Sequence, residues 1–121
     1  MTSEINKPNY SYRAKIIRVV DGDTVDADID LGFKVTSHQR LRLARIDTPE
    51  LNSKDPQVRQ NAVDATEFVR SKILNQTVFV VTTKSDLYGR YLAEIFYVDS
   101  EDQVQKNLCD QLLETKHAIL Y

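Results

Sequence analysis

The sequence contains little cysteine, glycine or proline, the residues that are abundant in disulfide-rich, fibrous or disordered proteins. Its 121 residues include one cysteine, three glycines, three prolines and no tryptophan. A single cysteine, Cys109, cannot form an internal disulfide, and so little glycine and proline argues against a fibrous or disordered chain. No apolar run approaches the roughly 18 residues that would span a bilayer. We therefore expect a folded protein with no membrane segment, in which Cys109 is a small core residue.

The chain also lacks an excess of positive charge. Its formal net charge is -2, and 28% of its residues are charged. A protein that held nucleic acid by overall charge alone would usually be strongly basic. Any site for a polyanion must therefore be a local cluster of side chains.

The length and the N-terminal residues define the expected organisation. A chain of this size forms one domain, which we place at residues 10–121 after a flexible segment at residues 1–9. The first residues lack the apolar core of a secretory signal, so we expect a cytoplasmic protein. We also expect a monomer. Secretion from a longer precursor stays open.

The first half of the chain has the pattern of antiparallel strands. Residues 10–20 are rich in β-branched and aromatic side chains, and the pair Asp21-Gly22 is a signal for a tight reversal. Apolar and polar residues then alternate over 24–31, as in a strand with one buried face. Residues 33–46 are expected to form a third, long strand.

The second half predicts two helices and two further strands. Asp55 and Pro56 form a helix start signal, and apolar residues at spacings of three and four continue to about Asn75. Strands are expected from Thr77 and Arg90, and a second helix is expected after a capping Asp102. This order predicts a mainly β, α+β fold: a five-stranded OB-fold barrel with a helix between strands 3 and 4 and a C-terminal helix.

Acidic and basic side chains occur at the predicted strand ends. Asp23 follows the first turn, Asp47 and Glu50 follow the third strand, Arg42 lies within that strand, and Arg90 precedes the last strand. In a small barrel these segments can meet at one rim, where carboxylates without a cation would repel each other. A divalent metal would remove the repulsion, and oxygen ligands suit Ca²⁺ or Mg²⁺.

Two further features complete a phosphodiesterase pattern. Pro49 restricts Thr48 to extended geometry, which fixes the direction of the Thr48 carbonyl and makes it a candidate metal ligand. Arginine guanidinium groups match the oxygens of a phosphate in pairs. Metal, carboxylates and two arginines together indicate a site that cleaves phosphodiesters.

Three stretches resemble the signature motifs of the staphylococcal nuclease (thermonuclease) family. They are VVDGDTV at residues 19–25, RLARIDTPE at 42–50 and DLYGRYLA at 86–93, in the order of the family. The resemblance implies an SNase-like OB-fold and a Ca²⁺-dependent nuclease. It further implies that Asp23 and Asp47 bind Ca²⁺ directly, with the Thr48 carbonyl as an additional ligand.

The same resemblance implies roles for the remaining residues. Glu50 would hold or deprotonate the attacking water, and Arg42 and Arg90 would contact the scissile phosphate. Tyr88, and Tyr121 near the end of the second helix, would line the substrate pocket. The implied substrate is single-stranded DNA or RNA, cleaved to 3'-phosphorylated products.

Simpler interpretations remain open for several of these residues. Asp21 and Asp23 are common turn formers beside glycine, and residues 88–90 could be an ordinary hairpin loop. Strand parity puts Arg42 and Arg45 on opposite faces, which favours a surface role for Arg45. A noncatalytic module that uses the barrel to bind nucleic acid or protein is the alternative function.

Overall fold

The computed structural model describes residues 10–85 and 89–121. In chain order the elements are β1 (Ser11–Asp21), β2 (Thr24–Asp30), β3 (Thr36–Leu43), β4 (Ile46–Asp47), α1 (Pro56–Ile73), β5 (Thr77–Ser85), β6 (Tyr91–Val98), β7 (Gln105–Asn107), α2 (Leu108–Glu114) and β8 (Ile119–Leu120). The predicted mainly β, α+β class is therefore confirmed.

Five of the strands close into a barrel. They are hydrogen-bonded in the order β3-β2-β1-β5-β6, and a parallel pairing between β3 and β6 closes the ring. That pairing joins Leu41 with Tyr91 and Leu43 with Ala93. Helix α1 lies between the third and fourth strands of the barrel, and α2 follows the last one, so the OB-fold prediction is confirmed.

The barrel interior is filled by aliphatic side chains from each of the five barrel strands. Successive strand residues point to opposite faces, so alternate positions enter the core. The inward-facing, buried residues are Ala14, Ile16, Val25, Ala27, Ile29, Leu41, Leu43, Val78, Val80, Ala93 and Ile95. This core fixes the strand ends, where the polar residues lie.

The turn between β1 and β2 packs tightly against the segment after β4. The hairpin register pairs Val19 with Val25 and Asp21 with Thr24, as the Asp-Gly signal predicts. A Cβ atom on Gly22 would lie 2.9 Å from Thr48 Oγ1 and 3.0 Å from the Cβ of Ala65. Only glycine leaves room for this approach, which brings the turn onto both the Thr48 segment and α1.

Helix α1 begins where the sequence predicts. The Asp55 carboxylate accepts a hydrogen bond of 2.9 Å from the Gln57 amide, and Pro56 occupies the first turn. The helix buries Ala62, Ala65, Thr66, Val69 and Ile73. It ends at Ile73, two residues before the predicted Asn75.

The predicted third strand over residues 33–46 is too long at both ends. Gly32, Phe33 and Lys34 have φ values of 80°, 55° and 63°, and Arg45 has a φ of 69°. These left-handed conformations cannot continue a strand. As a result β3 is limited to Thr36–Leu43, and the chain turns at Arg45 before the short β4.

The second helix begins later than predicted. Its N-cap is Asn107, whose side chain accepts a hydrogen bond of 3.2 Å from the Asp110 amide. Asp102 accepts a bond of 3.0 Å from the Val104 amide in the preceding loop instead. Residues 105–107 pair with β6 as β7 and cannot be helical, so the prediction of an Asp102 cap was wrong.

Two smaller predictions concern Cys109 and the membrane. Cys109 is buried in the core, as expected. Neither of the described helices combines the length and the apolar character needed to cross a membrane.

Candidate functional site

A polar cleft of about 430 Å³ opens at the barrel rim where the turn after β1, the end of β3, β4 and the start of β6 meet. Its lining consists of Asp21, Asp23, Thr24, Arg42, Leu43, Arg45, Asp47, Glu50, Arg90, Leu92 and Tyr121. Most of the predicted site residues are therefore neighbours. The Thr48 amide donates a hydrogen bond to Asp23, one of the lining residues. Tyr88 lies outside the described residues.

Asp23 is buried, and both oxygens of its carboxylate accept hydrogen bonds. Only 8% of the residue is exposed. Oδ1 accepts a hydrogen bond of 3.1 Å from the Thr24 hydroxyl, and Oδ2 accepts one of 3.2 Å from the Thr48 amide. The Asp23 carbonyl accepts a bond of 2.8 Å from the Leu43 amide. These bonds fix the Asp23 side chain against the end of β3 and the segment after β4.

Asp21 and Asp23 have opposite pKa shifts although they share one turn. Burial opposes ionisation of Asp23, but hydrogen bonding with Asp21, the charge of Arg42 and bonds from Thr48 outweigh it and lower the Asp23 pKa. Burial, together with the hydrogen bond and charge of Asp23, raises the pKa of Asp21 to about 6. Asp21 is therefore the group that takes up a proton first as the pH falls. Asp21 forms the turn, as the sequence interpretation expected, and it also lines the cleft.

The Arg42 guanidinium binds both the loop and the acids. Nη1 donates to the carbonyls of Leu43 and Ile46 at 2.8 and 3.0 Å. Nη2 lies 3.3 Å from Oδ1 of Asp47 and 3.4 Å from Oδ2 of Asp23. The two predicted metal ligands, Asp23 and Asp47, thus both lie next to Nη2 of Arg42, which neutralises part of their charge.

Tyr121 covers the outer side of this guanidinium. Strands β4 and β8 pair Ile46 with Leu120 and Asp47 with Ile119, and the residue after β8 is Tyr121. The Cζ atom of Arg42 lies 5.6 Å from the Tyr121 ring centroid, a cation–π distance. Tyr121 is 90% exposed, so its ring is available to a ligand in the cleft.

Arg90 reaches the same cleft from the start of β6. Its Nη1 lies 3.4 Å from the Thr24 hydroxyl, which also donates to Asp23. The parallel pairing that closes the barrel puts Leu92 opposite Arg42. Barrel closure therefore brings the two arginines to one rim.

Glu50 differs from the other acids of the cleft. It is an exposed residue that lines the cleft after the Thr48-Pro49 pair. In the part of the chain that the structure describes, no hydrogen bond or ion pair engages its carboxylate. Its oxygens remain accessible to water.

Arg45 also lines the cleft, which sequence parity did not predict. The parity argument requires a continuous strand, but the positive φ of Arg45 breaks the alternation. Its guanidinium bonds Glu94 and Asp110 instead of projecting into solvent alone. No signal in the local sequence distinguished this arginine from a surface charge.

The donor atoms of the cleft fit a hard divalent cation. The carboxylates are those of Asp21, Asp23, Asp47 and Glu50, and the guanidinium groups are those of Arg42, Arg45 and Arg90. Oxygen donors of this kind suit Ca²⁺ and Mg²⁺. Among the described residues, however, no three His, Cys, Asp or Glu side chains are grouped closely enough to hold a metal ion without rearrangement.

A second cavity of about 480 Å³ contains none of these residues. It is lined by Tyr10, Tyr12, Ile29, Leu31, Ser37, Gln39, Thr82, Thr83 and Tyr91. None of these lining residues, which all belong to the described part of the chain, is an Asp, Glu, His, Lys or Arg. The polar cleft is therefore the better candidate for such chemistry, although it is slightly smaller.

The fold and the cleft define an OB-fold protein with acids and arginines gathered at the barrel rim. The family model described as staphylococcal nuclease homologue matches residues 40–121, more than half of the chain. The chain belongs to the staphylococcal nuclease family.

Several curated relatives support the same assignment. A thermonuclease of Staphylococcus hyicus is 34% identical over 96 residues, which cover 78% of this chain and 52% of that protein. A thermonuclease of Staphylococcus intermedius is 34% identical over 91 residues, covering 74% of this chain and 50% of that protein. An uncharacterized protein of Methanocaldococcus jannaschii is 28% identical over 130 residues, covering 91% of this chain and 59% of that protein. The chain thus spans between 50% and 59% of the length of these relatives.

Proposed function

We propose that this protein is a Ca²⁺-dependent nuclease that hydrolyses single-stranded DNA or RNA to 3'-phosphorylated products. Membership of the family supports nuclease chemistry, and two of the relatives are thermonucleases. The observation that carries the proposal is the composition of the cleft. It combines acids, arginines and the exposed carboxylate of Glu50 within about 430 Å³.

The charge of the cleft favours a bound cation. Among the described lining residues are the four acids Asp21, Asp23, Asp47 and Glu50 and three arginines, of which Arg45 is already paired with Glu94 and Asp110. A phosphodiester would be repelled from an acidic cleft unless a cation were added. Asp23, Asp47 and the Thr48 carbonyl would hold that ion after the Arg42 contacts rearrange. Bound there, Ca²⁺ would polarise a phosphoryl oxygen and neutralise part of the diester charge.

Glu50 is the proposed general base. Its exposed carboxylate can accept a proton from a water molecule in the cleft while the water oxygen forms a bond to phosphorus. The bond between phosphorus and the 5' oxygen then breaks, the leaving oxygen takes a proton from solvent water, and Glu50 releases its proton to solvent. A positioned general base typically contributes about 10² to 10⁴ in rate.

The arginines and tyrosines are proposed to hold the substrate. Arg42 and Arg90 would donate to the phosphate oxygens and stabilise the charge that develops on them. Tyr121 offers an exposed ring beside Arg42, suited to a base or sugar. Tyr88 remains a prediction from the family resemblance.

The test compares Glu50→Gln with Glu67→Gln. Glu67 is an exposed acid of α1 that pairs with Arg70 and does not line the cleft. With Ca²⁺ present, the Glu50 variant should cleave labelled single-stranded DNA about 10² to 10⁴ times more slowly, and the Glu67 variant at the wild-type rate. Excess chelator should stop cleavage, and added Ca²⁺ should restore it. Equal rates for Glu50→Gln and wild type would refute the assigned base.

A noncatalytic binding module is the second candidate. It is favoured by the state of Arg42, because both Nη atoms are engaged by carbonyls and carboxylates of the chain itself. In that case the wild type and Glu50→Gln would bind single-stranded DNA equally, and neither would cleave it in a Ca²⁺ titration.

A further inference from the structure

We propose that Arg45 is a positioning residue that anchors the C-terminal segment and thereby holds Tyr121 over Arg42. The consequence for nucleic-acid binding rests on the function proposed above. The anchoring itself is argued from the contacts of Arg45 and does not depend on that function.

The Arg45 side chain joins three elements of the fold. Nε donates to Oε2 of Glu94 at 2.6 Å, and Nη2 donates to Oε1 of the same carboxylate at 2.8 Å. Nη2 also donates to Asp110 at 3.0 Å. Paired bonds of this kind fix the orientation of both groups. The segment between β3 and β4 is thus tied to β6 and to α2.

The main chain of Arg45 binds Tyr121, the residue that follows β8. Its carbonyl accepts a hydrogen bond of 2.8 Å from the Tyr121 amide. The left-handed backbone of Arg45, with φ of 69°, turns the chain at this point. Its side chain and its carbonyl therefore act on the α2–β8 segment at two places, the beginning of α2 and Tyr121.

The Glu94 partner is itself fixed to the start of α2. Oε1 of Glu94 accepts a bond of 2.9 Å from the side-chain amide of Asn107, which is the N-cap of that helix. Burial within this group is modest, because the Glu94 side chain is 22% exposed and that of Arg45 is 42% exposed. The network adds directed bonds to the packing of α2, which buries Leu108, Cys109 and Leu112 in the core.

Tyr121 depends on this anchoring because its side chain is largely exposed. The residue is 90% exposed, and within residues 10–85 and 89–121 its ring contacts the Arg42 guanidinium. The two-residue β4–β8 pairing and the bond to Arg45 determine where the ring lies. If the network were loosened, the ring would leave Arg42 for part of the time.

A simpler role for Arg45 is to add positive charge that attracts a polyanion. The two roles predict opposite effects when Glu94 is neutralised. By charge alone, Glu94→Gln removes a negative group near the cleft and should tighten binding of DNA. By positioning, it loosens the Arg45 network and should weaken binding, although Arg45 keeps its charge.

The experiment compares Glu94→Gln with Asp26→Asn. Asp26 is a matched control, since Arg40 bonds it through Nε and Nη2 at 2.7 and 3.1 Å, and neither residue lines the cleft. Amide hydrogen exchange at Tyr121 and the Kd for a single-stranded oligonucleotide are measured without Ca²⁺, so that no cleavage occurs. In Glu94→Gln we expect Tyr121 exchange to rise about tenfold and the Kd to rise about threefold. Asp26→Asn should change neither.

The outcomes separate the two proposals. Unchanged exchange at Tyr121 in Glu94→Gln, with equal or tighter DNA binding, would overturn the positioning role. If no variant binds DNA, the proposed function is contradicted, while the exchange result still decides the role of Arg45. If Glu94→Gln does not fold, Asp110→Asn removes only the third contact of Arg45 and should change both quantities in the same directions.

Discussion

The amide of Thr48 donates a hydrogen bond of 3.2 Å to Oδ2 of Asp23, a carboxylate that lies 25 residues earlier in the chain. This bond fastens the β1–β2 turn to the segment that follows β4. Most of the proposed metal ligands and the base belong to these two segments. The stability of the fold and the geometry of the cleft are therefore coupled at this contact.

Asp23 should be important for folding as well as for chemistry. Asp23→Ala leaves the Thr48 amide without its acceptor and removes one of the two carboxylates next to Arg42, so we expect a loss of about 3 kcal/mol in the free energy of unfolding. Asp23→Asn keeps an acceptor oxygen and should cost about 1 to 3 kcal/mol. Urea unfolding measures both. Asp28→Ala is the control, because Asp28 forms an exposed pair with His38 and should change stability by less than about 1 kcal/mol. Equal losses for Asp23→Ala and Asp28→Ala would contradict this account.

Gly22 should not tolerate even one additional carbon atom. An alanine Cβ would come within 3.0 Å of both Thr48 and Ala65, so the turn or α1 must move. We expect Gly22→Ala to lower the free energy of unfolding by about 1 to 3 kcal/mol and to increase amide exchange at Thr48. Gly32→Ala serves as the comparison, since that site is open and carries only the strain of a positive φ. Faster exchange at Thr48 in both variants would count against the steric explanation.

Phe33 should be replaceable with a gain in stability. It is 98% exposed and has a φ of 55°, so it packs against little and occupies a conformation that favours glycine or asparagine. Phe33→Asn should raise the free energy of unfolding by a few tenths to about 1 kcal/mol. Val35→Asn provides the control, because Val35 is also exposed but lies outside the left-handed region. A loss of stability in Phe33→Asn, measured by thermal unfolding, would show that the ring makes a stabilising contribution.

Asp99 should make the fold sensitive to acid. The Glu101 amide donates to its carboxylate at 2.9 Å, and Lys106 lies 3.1 Å away. The backbone bond and then Lys106 lower the pKa of Asp99 to about 2, below its ordinary value of 3.8. A carboxyl group with a lowered pKa in the folded state stabilises the fold above its ordinary pKa, and this contribution is lost as the pH falls.

The pH dependence distinguishes Asp99 from a neutral side chain. Wild type and Asp99→Asn should differ most in Tm above pH 4, and the difference should shrink between pH 4 and pH 2. A difference that stays constant over this range would mean that the charge of Asp99 contributes nothing.

The order of the elements was predictable from the sequence because the local signals agree with the final packing. The Asp21-Gly22 pair forms the β1–β2 reversal, and Asp55 caps α1. The errors occur where a turn or the pairing of a strand sets the backbone conformation against the local preference of the residues. Phe33 and Lys34 adopt left-handed conformations that their residue types do not favour, and residues 105–107 pair with β6 although the apolar spacing suggests a helix.

The site was predictable mainly through the resemblance to a family. The individual acids and arginines look like turn and surface residues when each is read alone. Barrel closure and the β4–β8 pairing bring them together, and neither pairing can be read from local periodicity. For the same reason the position of Arg45 at the cleft was not predicted, since its partners Glu94 and Asp110 lie in other segments and Arg45 follows a break in a strand.

The parallel β3–β6 pairing also has a consequence for the order in which the molecule is made. It joins positions 41–43 with 91–93, and contacts between such distant positions form late because a long loop must first close. A nascent chain that ends before residue 90 therefore has the acids of the cleft but neither Arg90 nor β6, the strand that completes the ring. During synthesis, any hydrolytic capacity would arise only after β6 has left the ribosome.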